Sequence, residues 1–347
     1  MKWNKDLTDS YPLVSLLVAA WNEEHNIHPF LNSFLKLAYS NKELILIAGG
    51  DDKTYARASS LEHPQITLLE QQKGEGKFRA LKRGLNLAKG SIIYLTDADC
   101  RLTTEVFFSV VEPIIKEKES IVTGRFRPLE DQLSIPFVYA QWKKKQLYEQ
   151  TLVESRYIGY LIGMNCAIKR TIFEACWKDR LNQPIGEDYY LALWVRKAGY
   201  KIYECRNSYI EAEYPETMEP YIRQQSRWTR SSALLEFRFR SPQWWRRYLT
   251  MLKALLALGL PFITVLAGMF FNLSVGLVLC IISLLFWGNY FKIYFNTKRW
   301  DKIRQNEDIN HPYFLSLSTL GRLMLADMCS RAVVLPQLIF RQWREAW

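Results

Sequence analysis

The chain has 347 residues, of which 49% are hydrophobic, and its 46 lysines and arginines outweigh 35 acidic residues to give a formal net charge of +11. That length allows roughly two domains and ample core for one large α/β unit. The six cysteines (Cys100, Cys166, Cys176, Cys205, Cys280 and Cys329) show no C-x-x-C spacing, so neither a zinc site nor a disulfide framework is indicated, and His25 and His28 read as surface residues.

Met1–Asp9 is polar and the apolar run at 13–20 is short, so a signal peptide is not expected and the first 240 residues are expected to stay in the cytosol. Residues 13–20 (L-V-S-L-L-V-A-A) and 44–48 (L-I-L-I-A) are continuous apolar runs, as strands covered on both faces should be. Ile66–Leu69, Ser91–Leu95 and Ile121–Thr123 continue the series, with helical patterns at 23–38, 53–61, 75–88 and 104–117 between them. Such alternation predicts βαβ units and a mostly parallel sheet. Ligands bind such sheets at the carboxyl ends of the strands, where Trp21-Asn22-Glu23, Gly49–Asp52 and Asp97–Asp99 all fall.

After about residue 125 the alternation stops. Gln132–Gln150 reads as a helix with Lys143-Lys144-Lys145 at its centre and aromatics at Phe137, Tyr139, Trp142 and Tyr148, fitting either helix surface or a membrane interface. Tyr189–Ala198 reads as a further helix, and Arg240–Lys253, with Trp244, Trp245 and Tyr248 among its cations, as an interfacial one. Within Ala254–Phe291, neither 254–271 nor 273–291 carries a charge, and each run is close to the ~20 residues that cross a bilayer. Arg238, Arg240, Arg246, Arg247 and Lys253 precede this block, and Lys292, Lys298, Arg299, Lys302 and Arg304 follow it. Basic flanks at both outer ends predict a helical hairpin with both ends cytoplasmic. Gly259, Pro261, Gly268 and Gly276 suit membrane helices. The positive charge is thereby assigned to anionic lipid headgroups and not to nucleic acid. Tyr313–Phe340 contains Arg322, Asp327 and Arg331, and fits either a third spanning helix or a bent interfacial helix broken at Pro336. Asp327 and Arg331 are spaced to pair.

Five segments carry chemistry. In Tyr94–Cys100 (Y-L-T-D-A-D-C), Asp97 and Asp99 project the same way as a strand ends. Paired hard oxygen ligands there suit Mg²⁺ or Mn²⁺ carrying a diphosphate. Glycines before a helix in Gly74–Leu85, with Lys77 in its first turn, fit anion binding or a plain glycine turn beside a basic helix face. In Gly159–Arg170, Gly163 followed by Asn165 suggests a tight loop where a bulky substrate approaches the backbone. In Gly186-Glu187-Asp188, Asp188 is either an N-cap or a general base whose pKa is raised by Glu187 and desolvation. In Gln224-Gln225-Ser226-Arg227-Trp228, Gln224 shares a helix face with Arg227 or Trp228. Arg can neutralise a diphosphate and an indole can stack on a sugar, or the stretch is an amphipathic helix edge with a buried Trp.

Taken together and in order, D-A-D after a strand, G-E-D opening a helix and Q-Q-S-R-W resemble the family 2 glycosyltransferases. The last element resembles the Q-x-x-R-W signature of the membrane-embedded branch, which holds cellulose, chitin and hyaluronan synthases and the ceramide glucosyltransferases. The resemblance covers residues 13 to about 232. It implies a glycosyltransferase A-type (Rossmann-like) domain of mostly parallel sheet followed by C-terminal transmembrane helices. Carried across, Asp99 binds Mg²⁺ or Mn²⁺ with Asp97 as a second ligand on the ribose side, and Lys77 lines the nucleotide pocket. Asp188 becomes the catalytic base beside Glu187, Gln224, Arg227 and Trp228 border the diphosphate and acceptor, and Gly163 and Asn165 fall in the acceptor loop. Glu23 lies in the first-strand motif Trp21-Asn22-Glu23-Glu24, with Ala19 where proline is usual. One departure stands out: where the family commonly has Asp-Asp-Gly-Ser, this chain reads Ala48-Gly49-Gly50-Asp51-Asp52, so Asp51 or Asp52 would have to substitute.

The expected organisation is a catalytic domain at 1–235, an interfacial segment at 236–253, a transmembrane hairpin at 254–291 and a C-terminal segment at 292–347. The expected activity is inverting transfer from a nucleotide sugar, a UDP-sugar foremost, to a lipid or lipid-linked acceptor at the cytosolic membrane face. A processive polysaccharide synthase and an inactive membrane scaffold are the alternatives.

Overall fold

The computed structural model describes residues 11–150, 156–178, 186–242, 244–270, 272–295 and 316–339. These divide into two compact units. One holds the described residues of Met1–Leu129 and Glu154–Glu213, the other those of Glu130–Val153 and Tyr214–Ala346.

The first unit begins with β1 (Val14–Trp21), α1 (Ile27–Leu35), β2 (Lys42–Gly49), α2 (Thr54–Ser59), β3 (Ile66–Glu70), α3 (Gly76–Leu85) and β4 (Ile92–Leu95). It continues through β5 (Cys100–Arg101), α4 (Thr104–Ile115) and β6 (Ile121–Pro128), then β7 (Tyr157–Ile158), β8 (Cys166–Lys169), α6 (Arg170–Lys178), α7 (Glu187–Lys197) and β9 (Ile202–Ala212). The strands form one 9-stranded sheet in the order β3-β2-β1-β4-β8-β6-β9-β5, with β7 on β9. The first four are parallel, each crossover passing through a helix. β8 then enters antiparallel between β4 and β6, so Leu95 sits opposite Cys166 and Thr123 also pairs with Cys166.

Alternation along the strands sorts side chains to two layers. Val14, Leu16, Val18 and Ala20 of β1 and Leu44, Leu46 and Ala48 of β2 share one core with Phe30 and Phe34 of α1 and Phe107 and Val110 of α4. The opposite face receives α3: a Cβ at Gly84 would come 2.7 Å from Ile47 Cδ1, so glycine lets the helix lie close to the sheet. On the same side Phe78 of α3 packs against Trp177 of α6 and Tyr190 of α7.

The second unit is helical: α5 (Pro136–Gln150), α8 (Met218–Arg238), α9 (Trp244–Phe270), α10 (Leu273–Tyr294), α11 (Leu317–Ala332) and α12 (Val334–Ile339). α9 and α10 are long and apolar enough to cross a membrane, with mean hydropathy 2.0 and 1.9 over their most apolar stretches. Residues such as Phe262, Met269, Phe270, Leu284 and Leu285 are largely exposed. The helices are tied by Trp287 Nε1 donating to Ala257 O at 2.8 Å, and near the turn Gly276 backs onto Gly268, where a Cβ would meet the Gly268 Cα at 3.0 Å. Asn272 caps α10 by accepting from Ser274 N at 2.8 Å. The basic segment at 143–145 lies on α5, and Phe137 and Ala140 of that helix enter the core of this helical unit. α11 has 16 residues, short of the ~20 that span a bilayer, and the chain turns at Val333 before α12. Of the C-terminal pattern, residues 313–315 and 340 lie outside the described residues, as do Lys298, Arg299, Lys302 and Arg304.

Candidate active site

β1 and β2 end side by side, and their exit loops interlock. Asn22 holds a left-handed φ of 58°, its N–H donates to Gly49 O at 3.1 Å, and its Oδ1 accepts from Asp51 N at 2.8 Å. Gly50 has φ 140° and a Cβ there would stand 2.2 Å from that Oδ1, so only glycine closes this join. At Gly49 a Cβ would stand 2.5 Å from Gln71 O beyond the end of β3. The departure at 48–52 thus has a packing reason. Ala48 is fully buried in the core. Asp52 accepts from Thr54 N at 2.9 Å and Glu24 N at 3.2 Å and so organises the turn into α2. Asp51 is exposed and paired with Lys73 at 2.9 Å.

Asp97 and Asp99 follow the carboxyl end of β4, which stops at Leu95, and a turn at 98–99 in which Cys100 N donates to Asp97 O at 3.3 Å replaces the strand alternation expected there. Asp97 Oδ1 accepts from Lys77 Nζ at 2.7 Å, and the same ammonium reaches Glu187 Oε1 at 2.7 Å. Lys77 is the second residue of α3, directly after a turn in which Gly74 and Gly76 both hold positive φ (79° and 71°). The lysine expected to line a nucleotide pocket therefore bridges the D-A-D and G-E-D motifs. Burial, then the neighbouring charge of Asp97, raises Asp99 to about 6, and Cys100 Sγ donates to its Oδ1 at 3.5 Å. Glu23 is raised to about 7 by burial and then by Asp99, against a hydrogen bond from Asn26 at 3.1 Å.

Asp188 is the second residue of α7; the N-cap position belongs to Gly186 at φ 81°, so the capping alternative falls away. Burial, then the adjacent Glu187, raises the Asp188 carboxyl to about 6, while Lys77 pulls it down. A Cβ on Gly163 would lie 2.9 Å from Asp188 Cβ, so the Gly163 loop can lie against this carboxylate only without a side chain. Two residues on, Asn165 is fully buried: its Oδ1 accepts from Tyr94 OH at 2.8 Å and its Nδ2 donates to Arg125 O at 2.9 Å. It holds the loop from beneath.

Glu23, Asp97, Asp99, Glu187 and Asp188 thus form one electrostatically connected set around Lys77. Glu213, which has no motif to mark it, adds to the field on Glu23 and Asp99. It is delivered by the β5–β9 pairing, which sets Cys100 opposite Ala212. Gln224, Arg227 and Trp228 all stand on α8 in the other unit, with Trp228 41% exposed. Carboxylates pushed above their ordinary range by burial and then by one another are stabilised by a cation, and their oxygen donors suit Mg²⁺ or Mn²⁺. Among the described residues no group of three or more His, Cys, Asp or Glu could hold a metal unaided.

A mostly parallel sheet with helices on both faces and acids at its carboxyl edge defines a glycosyltransferase A-type fold. The sequence profile of the family described as Glycosyltransferase like family 2 matches residues 12–231, and the chain belongs to that family. It is 26% identical over 258 residues to a probable glycosyltransferase, YdaM, of Bacillus subtilis strain 168, covering 69% of this chain and 59% of that protein. It is 29% identical over 189 residues to a beta-monoglucosyldiacylglycerol synthase of Trichormus variabilis, covering 50% of this chain and 39% of that protein. The chain thus spans about half the length of these curated relatives. It shares its fold with the mannosyltransferase PcManGT of Pyrobaculum calidifontis, solved with GDP-mannose and Mn²⁺, at TM-score 0.62 and 18% identity over 96% of this chain and 88% of that one.

Proposed function

We propose that the chain is an inverting glycosyltransferase of the Q-x-x-R-W branch, moving a sugar from a nucleotide sugar to a lipid or lipid-linked acceptor at the cytosolic face of a membrane. The observation that carries this reading is the Lys77 bridge, which joins the D-A-D edge to the start of α7, where Asp188 sits against the side-chain-free Gly163 loop.

Asp188 accepts the proton of the acceptor hydroxyl as that oxygen attacks the anomeric carbon. The bond to the diphosphate breaks on the opposite face, so one displacement inverts the centre and needs one base. A carboxyl raised to about 6 is ionised at neutral pH yet more basic than an ordinary aspartate, as a general base should be. Glu187 supplies part of that basicity, and Lys77 keeps it from rising further. Asp99, with Asp97, would hold Mg²⁺ or Mn²⁺, which when bound supplies positive charge against the leaving diphosphate. Gln224, Arg227 and Trp228 are assigned the diphosphate and acceptor by the family motif.

Two features support a lipid acceptor: the apolar pair α9 and α10, and a relative named for making a glucosylated diacylglycerol. Catalytic residues 1–235, an interfacial stretch at 236–253, a hairpin at 254–291 and a C-terminal segment at 292–347 are the proposed division of labour. The test is incubation of membranes containing the chain with a panel of labelled nucleotide sugars, followed by partition between organic solvent and water. Organic-soluble label is the expected result. High-molecular-weight aqueous product would replace the lipid acceptor with a polymer, and no donor turnover would leave a scaffold.

A further inference from the structure

The helical unit contains a buried charge that the transfer chemistry leaves unused. Asp327 of α11 is 2% exposed and adjoins an apolar cluster that includes Leu323, Met324 and Ala257. Its Oδ1 accepts from the Tyr221 hydroxyl of α8 at 2.6 Å. Its Oδ2 accepts from Lys144 of α5 and from the Tyr294 hydroxyl of α10. Asp327 also interacts electrostatically with Arg331, as their spacing leads one to expect, and adds partners from three other helices, while Arg331 hydrogen-bonds Tyr290 of α10. Ser226 Oγ of α8 also stands 3.0 Å from Ser330 O of α11, sharing its one proton with Ile222 O of its own helix at 2.6 Å.

A buried ion pair adds little net stability, because desolvation offsets the attraction. Its distinctive property is direction. Sliding α8 by one residue turns it ~100°, which an apolar contact tolerates but the Tyr221–Asp327 bond does not. A buried carboxylate deprived of a donor is costly, so the bond selects one register. The same helix carries Gln224 three residues beyond Tyr221 and Trp228 seven beyond, positions that follow Tyr221 along one face.

We propose that Asp327, held by Lys144 and Tyr294, is a positioning residue that fixes the register of α8 through Tyr221 and so sets the presentation of Gln224, Arg227 and Trp228. The consequence for transfer rests on the function proposed above; the register itself does not.

Tyr221→Phe and Tyr294→Phe each remove one hydroxyl from the same carboxylate, and both can be compared in the full chain in detergent micelles. Hydrogen exchange across residues 218–230, melting temperature, and kcat and donor KM are measured. Both variants should melt somewhat lower. Only Tyr221→Phe should speed α8 exchange, by about tenfold, as expected for one hydrogen bond to a charged group. It should also lower kcat with donor KM held within about twofold, the mark of a helix mispositioned and not of a lost donor contact. The apolar pair Lys144→Met with Asp327→Leu, which leaves Arg331 without its carboxylate, should melt lower and leave α8 unprotected. Equal α8 exchange in the two tyrosine variants, or full α8 protection in the apolar pair, overturns the proposal. Should the wild-type chain turn over no nucleotide sugar, the transfer reading fails alone, and the exchange comparison still decides the register.

Discussion

Lys77→Met is the most informative perturbation of the acidic edge. The ammonium sits 2.7 Å from both Asp97 Oδ1 and Glu187 Oε1, with side-chain exposures of 22%, 24% and 14% for the three residues. Removing one partner of a buried pair costs about 3–5 kcal/mol. Partial exposure of the two acids reduces that to about 2 kcal/mol here. The chemical effect is more specific than the loss of stability. Lys77 holds down the carboxyls of both Asp188 and Asp99, so without it both rise further. A neighbouring unit charge of this kind is worth on the order of one pH unit on Asp188. The acid limb of the kcat–pH profile, expected near 6 in the wild type from the raised Asp188 carboxyl, should therefore move up by about one unit in Lys77→Met. Lys77→Arg, which keeps the charge, should move it back. An acid limb that stays in place in Lys77→Met refutes the electrostatic account, whatever happens to the rate.

Three further outcomes follow from the same geometry. Asp99→Ala should abolish Mn²⁺-stimulated nucleotide binding in calorimetry, and unchanged Mn²⁺ dependence would count against Asp99 as ligand. Gly163→Ala forces a methyl to 2.9 Å from Asp188 Cβ, an overpacking of about 1–3 kcal/mol; turnover should fall about tenfold or more with the fold retained by circular dichroism, and an unaffected rate would mean the loop does not lie on the base. Glu23, Asp99 and Asp188 all have folded-state pKa values raised to about 6–7. Their protonated forms therefore favour the folded state, a contribution present near pH 4 and lost as pH rises through 6 to 7. The melting temperature in EDTA should decline across that window and the decline should shrink with Mn²⁺; a rise over the same window in EDTA would contradict these assignments.

The parallel half of the sheet was legible because strands covered on both faces must be apolar throughout, and the runs at 13–20 and 44–48 became β1 and β2 almost residue for residue. The mixed half was not. β8 has four residues, β9 mixes Glu204, Arg206 and Asn207 among its apolar positions, and the parallel β6–β9 register breaks between Thr123 and Arg125. Pairing of that kind is set by tertiary neighbours that no local pattern contains. The site divides in the same way. D-A-D and G-E-D were visible as motifs and Lys77 as a pocket residue, but the bridge it makes between them was not, since Lys77, Asp97 and Glu187 meet only after the sheet closes. Glu213 reaches the edge through a two-residue strand pairing that leaves no trace in composition. Asn165 was visible as polar, yet its amide is spent inside the core.

Asp188→Asn tests the central claim most directly, because it exchanges one oxygen for nitrogen and removes only the base. With the donor that the nucleotide-sugar panel identifies, single-turnover transfer and equilibrium donor binding should be measured on the same preparation. Transfer should fall by about 10²–10⁴-fold, while donor affinity stays within about twofold. Undiminished turnover would contradict the assignment of Asp188 as the group that activates the acceptor.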